Sequence, residues 1–213
     1  MSPAPIRRFA YYARLGADAK RVYRKSDAIS EVPLHDVAAL RPLLPTLRAA
    51  LESGDVRAVQ RAAGRLVRAL LADLGVPDLA LEVLEARPRG DYGELHGLYT
   101  YDEPGEPPRI QVWMRTAAHG RVVAWKSFVR TLLHELGHHL DLHLFDLGET
   151  FHTHGFYRRE NHLFHQLEPA AARKAAPPPP PGAAPATEAP PRTPRAAARP
   201  KRPRRQLGLP GLD

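Results

Sequence analysis

The chain has 213 residues, 43% of them hydrophobic, which is enough for one sizeable domain with additional segments. It contains no cysteine, which excludes disulfide bonds and thiolate metal sites. Residues 171–213 hold nine Lys or Arg against two acids, so most of the net charge of +8 belongs to that segment.

The N-terminal segment, residues 1–34, mixes cations with aromatic residues. It contains no apolar stretch typical of a secretory signal, and no run in the chain approaches the roughly 20 apolar residues of a membrane span. We therefore expect a cytoplasmic protein that does not bind a membrane. We expect the segment itself to lie across the surface of the domain that follows.

Two stretches, 35–52 and 56–74, carry apolar residues at the spacing of amphipathic helices. Pro42 disturbs the early turns of the first, because proline lacks the amide hydrogen that a helix interior needs. Asp55 precedes the second, where its carboxylate can cap the free amides of the first turn. The sequence therefore predicts helices at the start of a domain that spans 35–170.

Three strand candidates follow these helices, at 79–86, 95–101 and 109–114. Glu103-Pro104-Gly105 supplies a turn between the second and third, so these two are expected to pair as a hairpin. The predicted fold class is α+β, with N-terminal helices and a small three-stranded sheet packed on the helix that comes next.

That helix carries the most informative feature of the sequence, His-Glu-Leu-Gly-His at 134–138, in an apolar run with helical spacing. Residues four apart share one face of a helix, so His134 and His138 can bind one metal ion. Glu135 then lies where it can deprotonate a water molecule that the metal activates. The pattern indicates a hydrolase with Zn²⁺ as cofactor, His134 and His138 as ligands and Glu135 as catalytic base.

A catalytic zinc ion normally has three protein ligands and one open position. His139 and His143 project from other sides of the helix, so the third ligand is expected from downstream. Asp141 lies on the ligand face, where it can orient an imidazole instead of binding the metal. The downstream candidates are Glu149, His152, His154 and Glu160.

The stretch 134–138, followed by His152-Thr153-His154-Gly155-Phe156, resembles the SprT-like zincin metallopeptidases. In that family a later His, with an aromatic residue one helical turn after it, completes the site, and His152 and Phe156 have this offset. The resemblance covers about 120–166 and implies a zincin-like fold, His152 as third ligand and hydrolysis of peptide bonds. His154 remains an alternative ligand. The family's zinc ribbon has no counterpart in a chain without cysteine.

Two other interpretations remain open. Residues 158–164 resemble the third-ligand helix of ImmA/IrrE-type metallopeptidases, in which case Glu160 replaces His152 and the protein is a regulatory peptidase. Alternatively, the domain is a non-catalytic metal-binding module that its basic tail holds at nucleic acid.

The tail itself, residues 171–213, is dominated by Pro, Ala and Arg. Such a composition cannot bury a core and predicts disorder. Its basic cluster at 199–205 favours electrostatic binding of nucleic acid or of an acidic partner, unless the tail is only a solvated linker. The expected substrate is a protein or peptide, and the sequence does not indicate an oligomeric state.

Overall fold

A computed structural model of the chain describes residues 8–90, 93–101 and 106–169, together with the backbone of 206–210. The fold over these residues is mixed α+β, as predicted. The elements in chain order are a 3₁₀ helix at Ala10–Arg14, α1 Ala17–Ala28, α2 Val37–Leu40, α3 Leu43–Ser53, α4 Val56–Leu74, β1 Ala80–Ala86, β2 Arg89–Gly90, β3 Gly93–Thr100, β4 Arg109–Arg115, α5 Trp125–His143, α6 His154–Leu167 and β5 Gln206–Pro210.

The strands form one sheet in the order β1-β4-β3-β2, with β5 also paired to β3. β1 runs parallel to β4, and Val83 lies opposite Val112. β3 runs antiparallel to β4, and Gly97 lies opposite the same Val112. The predicted hairpin is therefore confirmed, and the three predicted strands form the larger part of the sheet.

The helices that precede the sheet begin and end at residues whose chemistry explains their limits. Asp55 caps α4 by accepting hydrogen bonds from the amides of Arg57 at 2.8 Å and Ala58 at 3.2 Å. The single helix predicted over 35–52 is instead two helices, α2 and α3, with the break at Pro42. The ring of Pro42 cannot supply the amide hydrogen that a continuous helix requires at that point.

The helix α5 packs against β3 and β4, and α6 packs against α5. The apolar side chains of α5 enter a core shared with α3 and α4. Leu132, Leu133 and Leu136 of this helix are all fully buried. Burying the apolar surface of each such leucine stabilises the folded state by roughly 2 kcal/mol. The segment 134–138 is therefore held on a rigid, buried element.

The N-terminal segment is packed against the same body from residue 8 onward. α1 contacts α6, and Val32 and Leu34 belong to the shared core. None of the helices within the described ranges is long and apolar enough to cross a membrane.

Most of the basic tail, at 171–205 and 211–213, lies outside the described residues, and the predicted disorder falls there. Gln206–Pro210, however, pair with β3 as an antiparallel strand. The structure differs here from the expectation drawn from composition, because the free edge of β3 offers backbone partners that composition does not reveal.

Candidate metal centre

Helix α5 places His134 and His138 one turn apart on the same face, with ring centroids 4.9 Å apart. Both side chains are buried, with 1% and 0% of their surface exposed. The helix geometry therefore brings together the two imidazoles that the sequence pattern predicted as a pair.

His152 reaches the same point from the loop between α5 and α6. Its Nε2 atom lies 2.9 Å from Nε2 of His134 and 3.2 Å from Nε2 of His138. Ligand atoms on the three histidines all lie within 4.8 Å of one another, so the group could hold a metal ion. Ligands of a tetrahedral zinc ion at 2.0–2.1 Å are separated by about 3.4 Å, which is close to these spacings.

The loop that carries His152 is anchored on both sides of this residue. The hydroxyl of Tyr11 donates a hydrogen bond of 2.7 Å to the carbonyl oxygen of His152. The next residue, Thr153, caps α6 by accepting from the amide of Phe156, and its hydroxyl lies 3.2 Å from that of Ser26. The N-terminal segment and α1 therefore fix the direction from which His152 approaches.

The other predicted ligands lie elsewhere. His154 begins α6 and stacks on the ring of Phe9 with centroids 4.5 Å apart. Glu160 lies behind His134, with its Oε2 atom 3.1 Å from Nδ1 of that ring, and its Oε1 accepts from Arg130 at 2.8 Å. Within the described ranges, the metal-binding group comprises the three histidines alone.

Hydrogen bonds on the outer edges of two rings determine where their protons reside. The Thr150 hydroxyl donates to Oδ2 of Asp141 at 2.9 Å and lies 2.8 Å from Nδ1 of His138. Because a hydroxyl has one proton, Thr150 must accept from His138, which therefore carries its proton on Nδ1. The Glu160 carboxylate imposes the same tautomer on His134. In both rings the Nε2 lone pair is left facing the centre, as metal binding requires.

The sequence interpretation of Asp141 as an orienting residue was incomplete, because Thr150 lies between it and His138. Asp141 also accepts a 2.5 Å hydrogen bond from Arg159, a buried side chain of α6 that further donates to the carbonyls of Ser26 and Ile29. Burial raises the pKa of Asp141 to about 6, and the Arg159 charge opposes the rise. Arg159 thus ties α1, α5 and α6 together beneath the metal centre.

All three imidazoles are held in the neutral form that binds metals. Burial lowers the pKa of His134 and His138 well below the usual range, and the neighbouring rings add to the effect. Burial likewise lowers the pKa of His152 to about 4, although the Glu160 carboxylate opposes the shift. A donor set of three neutral imidazoles suits Zn²⁺ and related divalent ions.

Glu135 is fully buried beside this group, and neither carboxylate oxygen has a hydrogen-bond partner of normal geometry among the described residues. Burial raises its pKa well above the usual range, the backbone amide of Tyr99 opposes the rise and the Glu160 charge adds to it. A buried carboxylate without such a partner is costly, so its presence next to a metal-binding group is a mark of function.

Glu135 packs directly against the backbone of β3 at Gly97. A Cβ atom at Gly97 would lie 2.8 Å from the methyl carbon of Thr131 and closer still to the Glu135 carboxylate. Gly97 was not among the residues predicted for the site, although an isolated glycine within a strand pattern signals the close approach of another group.

Phe156 packs over the other glycine of the site, Gly137. A Cβ atom there would lie 3.1 Å from Cζ of Phe156. The phenyl centroid lies 4.8 Å from that of His134 and 4.7 Å from that of His138. The absence of a side chain at Gly137 therefore allows the first turn of α6 to approach α5 closely.

Three residues near the third histidine could stabilise negative charge on a substrate, and they differ in placement. Tyr157 stacks on His152 with centroids 5.9 Å apart, and burial raises the pKa of its hydroxyl. Arg158 instead donates to the carbonyl of Asp27, and His154 stacks on Phe9. Tyr157 is therefore the member of this set that lies against the metal centre.

Comparisons with protein-family models, with curated proteins and with solved structures found no match to this chain.

Proposed function

We propose that this protein is a zinc-dependent metallopeptidase of the zincin type, with a SprT-like arrangement of His134, His138 and His152. The observation that carries the proposal is the convergence of three neutral Nε2 atoms next to a fully buried carboxylate, which has no hydrogen bond of normal geometry from any described residue. A purely structural zinc site has four protein ligands and no use for a base. The donor set and Glu135 together support catalysis rather than a structural metal.

A divalent cation bound there would supply Lewis-acid activation of a water molecule and of the scissile carbonyl group. Glu135 accepts the proton of that water as its oxygen forms a bond to the carbonyl carbon. The same side chain then delivers the proton to the leaving nitrogen as the carbon–nitrogen bond breaks. Burial raises the pKa of Glu135, which makes its carboxylate a stronger base for the first step.

The test compares wild type with Glu135→Gln and His152→Ala, using metal analysis and hydrolysis of unfolded casein. Wild type is expected to contain about one zinc ion per chain and to cleave casein, in line with a site of three protein ligands. Glu135→Gln should keep the zinc and lose turnover, whereas His152→Ala should lose both. Full hydrolysis by Glu135→Gln would remove Glu135 from the mechanism, and full zinc content in His152→Ala would remove His152 from the ligand set.

The position of Glu160 bears on the ImmA/IrrE-type alternative. Its carboxylate contacts Nδ1 of His134, whereas the Nε2 atoms of the three histidines face one another. This arrangement supports Glu160 as a residue that orients His134 and supports His152 as the third ligand.

A further inference from the structure

The strand β3 has two edges, and they are occupied differently. One edge pairs with β4 from Gly97 to Thr100. The other pairs with β2 at its start, where Gly93 and Glu94 lie opposite Gly90 and Arg89, and the Leu95 amide donates to the Pro88 carbonyl at 3.1 Å. From Leu95 to Thr100 β3 also pairs with β5, a segment from the far end of the sequence. Apart from β5, no strand among the described residues pairs with this edge beyond Leu95, so the main body of the domain leaves it open.

That open edge belongs to the strand that borders the metal centre. Gly97 packs against Glu135, and the ring of Tyr99 stacks on His138 with centroids 6.3 Å apart. A chain added to this edge runs alongside the residues that the proposed mechanism uses. Main-chain hydrogen bonds along such an edge are a general means of binding an extended peptide.

The pairing of β5 is irregular at the position of the proposed catalytic base. Tyr99 lies opposite Leu207, Leu98 opposite Gly208 and Leu95 opposite Pro210. Two residues of β3 therefore face the single residue 209, which is the count of a β-bulge, and one of the two is Gly97. The extra residue belongs to β3, so it is the backbone of β3 that bends at the residue against which Glu135 packs.

We propose that Gln206–Pro210 is a resident occupant of this edge of β3, an internal strand that competes with a peptide substrate for the same main-chain hydrogen bonds. The inference rests on the proposed peptidase function and adds a regulator to it. The occupant is extended, antiparallel to β3 and bound through its main chain, which are the features expected of a peptide substrate on the same edge.

Attachment to the same chain makes this competition effective. The residues between the end of α6 at Leu167 and Gln206 are numerous enough to reach the sheet from any point of the domain. A tethered segment has an effective concentration on the order of millimolar, so a segment whose own dissociation constant is ~0.1 mM raises the apparent dissociation constant of a competing peptide about tenfold. The internal strand therefore favours substrates that bind tightly or that arrive at high local concentration.

The experiment compares two full-length variants that differ in the main chain. Leu207→Pro/Gly208→Pro removes two adjacent amide hydrogens, so it breaks the pairing whichever of the two residues donates to β3. Leu207→Ala/Gly208→Ala makes changes at the same positions but keeps both amides. Both pairs of changes are also introduced into the Glu135→Gln protein, in which the strand can be examined without turnover.

The first measurement is hydrogen–deuterium exchange over residues 95–100 in the Glu135→Gln background. We expect the proline variant to exchange at least tenfold faster there than the alanine variant, and we expect millimolar peptide Gln-Leu-Gly-Leu-Pro to restore its protection. Equal exchange in the two variants would mean that β5 does not cover this edge. Failure of the peptide to restore protection would mean that the edge is not a peptide-binding surface.

The second measurement is peptidase kinetics in the variants that retain Glu135. The proline variant should show a KM for casein about tenfold lower than the alanine variant, with kcat unchanged, because only competition has been removed. An unchanged KM alongside lost protection would overturn the inhibitory role. Cleavage within 206–210 by wild type would make the strand a substrate instead of an inhibitor. If no variant hydrolyses any peptide, the proposed function fails, and exchange alone decides whether the strand occupies the edge.

Discussion

The Glu160 carboxylate lies 3.1 Å from Nδ1 of His134, on the opposite side of the ring from the nitrogen that faces His152. A group in this place orients a ligand and raises its basicity without binding the metal itself. The geometry therefore favours His152 as the third ligand of the proposed site and Glu160 as an orienting residue, and it leads to the first prediction.

Glu160→Ala is expected to weaken zinc binding by roughly 10–100-fold while leaving one zinc ion bound at saturation. His152→Ala removes a ligand, so it should reduce affinity far more. Competition titrations against a chelator measure the zinc dissociation constants of the two variants. Glu160→Gln is the matched control, because its amide oxygen can still accept from His134, and its affinity should lie between wild type and Glu160→Ala. A greater loss in Glu160→Ala than in His152→Ala would reverse the assignment.

Thr150 gives a second test of how the ligands are held. Thr150→Val keeps the shape of the side chain but leaves the buried Nδ1 proton of His138 and an oxygen of Asp141 without their shared partner. We expect a loss of about 1–3 kcal/mol in the free energy of unfolding of the metal-free protein. Zinc affinity should fall roughly 10–100-fold.

Chemical denaturation and zinc titration measure the two effects in Thr150→Val. Thr150→Ser retains the hydroxyl, so it should recover most of the lost unfolding free energy and most of the lost zinc affinity. If the serine variant is as impaired as the valine variant, the loss comes from the methyl group of Thr150 and not from its hydrogen bonds to His138 and Asp141.

Gly97 gives a third test, directed at the contact between strand and base. Gly97→Ala places a methyl group against the Glu135 carboxylate and the Thr131 methyl. We expect destabilisation of about 1–3 kcal/mol from overpacking, together with loss of peptidase activity. Gly16→Ala is the control, since a Cβ built there meets no described residue within 4 Å apart from its neighbours along the chain, and it should have little effect.

The same contact can be isolated by a double-mutant cycle. In a Glu135→Ala background the space beside residue 97 is larger, so Gly97→Ala should cost at least about 0.5 kcal/mol less than in wild type. Equal costs in the two backgrounds would mean that Glu135 is not what excludes a side chain at position 97.

His139 gives a prediction about pH. Its ring lies between the Tyr99 hydroxyl, 3.0 Å from Nδ1, and the Pro77 carbonyl, 2.9 Å from Nε2. Burial lowers its pKa to about 4. Between that value and the ordinary ~6.5, the unfolded chain binds more protons at this residue than the folded chain does. The contribution of His139 to stability is therefore complete above pH ~6.5 and is lost as the pH falls towards about 4.

His139→Gln retains a donor and an acceptor but does not titrate. Its unfolding free energy should thus fall less steeply than that of wild type between pH 6.5 and pH 4, by on the order of 2 kcal/mol across the window. Chemical denaturation of both proteins in chelator, at several pH values, measures the difference. Identical slopes would mean that His139 titrates normally in the folded state.

The sequence alone was sufficient for the elements whose signals are local. The apolar spacing around His134 and His138 predicted a buried helix with both rings on one face, and Asp55 marked the start of α4. The hairpin of β3 and β4 followed from a turn and two strand patterns. In each case the physical cause lies within a few residues along the chain.

The sequence could not reveal the contacts that depend on distant segments. Thr150 and Arg159 carry no pattern of their own, and their roles arise only when α1, α5 and α6 are packed together. Likewise, the composition around Gln206 indicates a lack of core-forming residues, whereas pairing with β3 depends on a free edge supplied by another part of the chain. Gly97 had a local signal, but its meaning required knowing which side chain lies above it.

The hydrogen bond from Tyr11 to the His152 carbonyl and the pairing of Gly208 with Leu98 lie at opposite ends of the sequence, yet both border one small centre. Under the proposed function, a change at residue 11 alters how His152 is presented to the metal, whereas a change at residue 208 alters how accessible the edge of β3 is to a peptide. The proposal therefore assigns metal retention to one end of the sequence and substrate entry to the other.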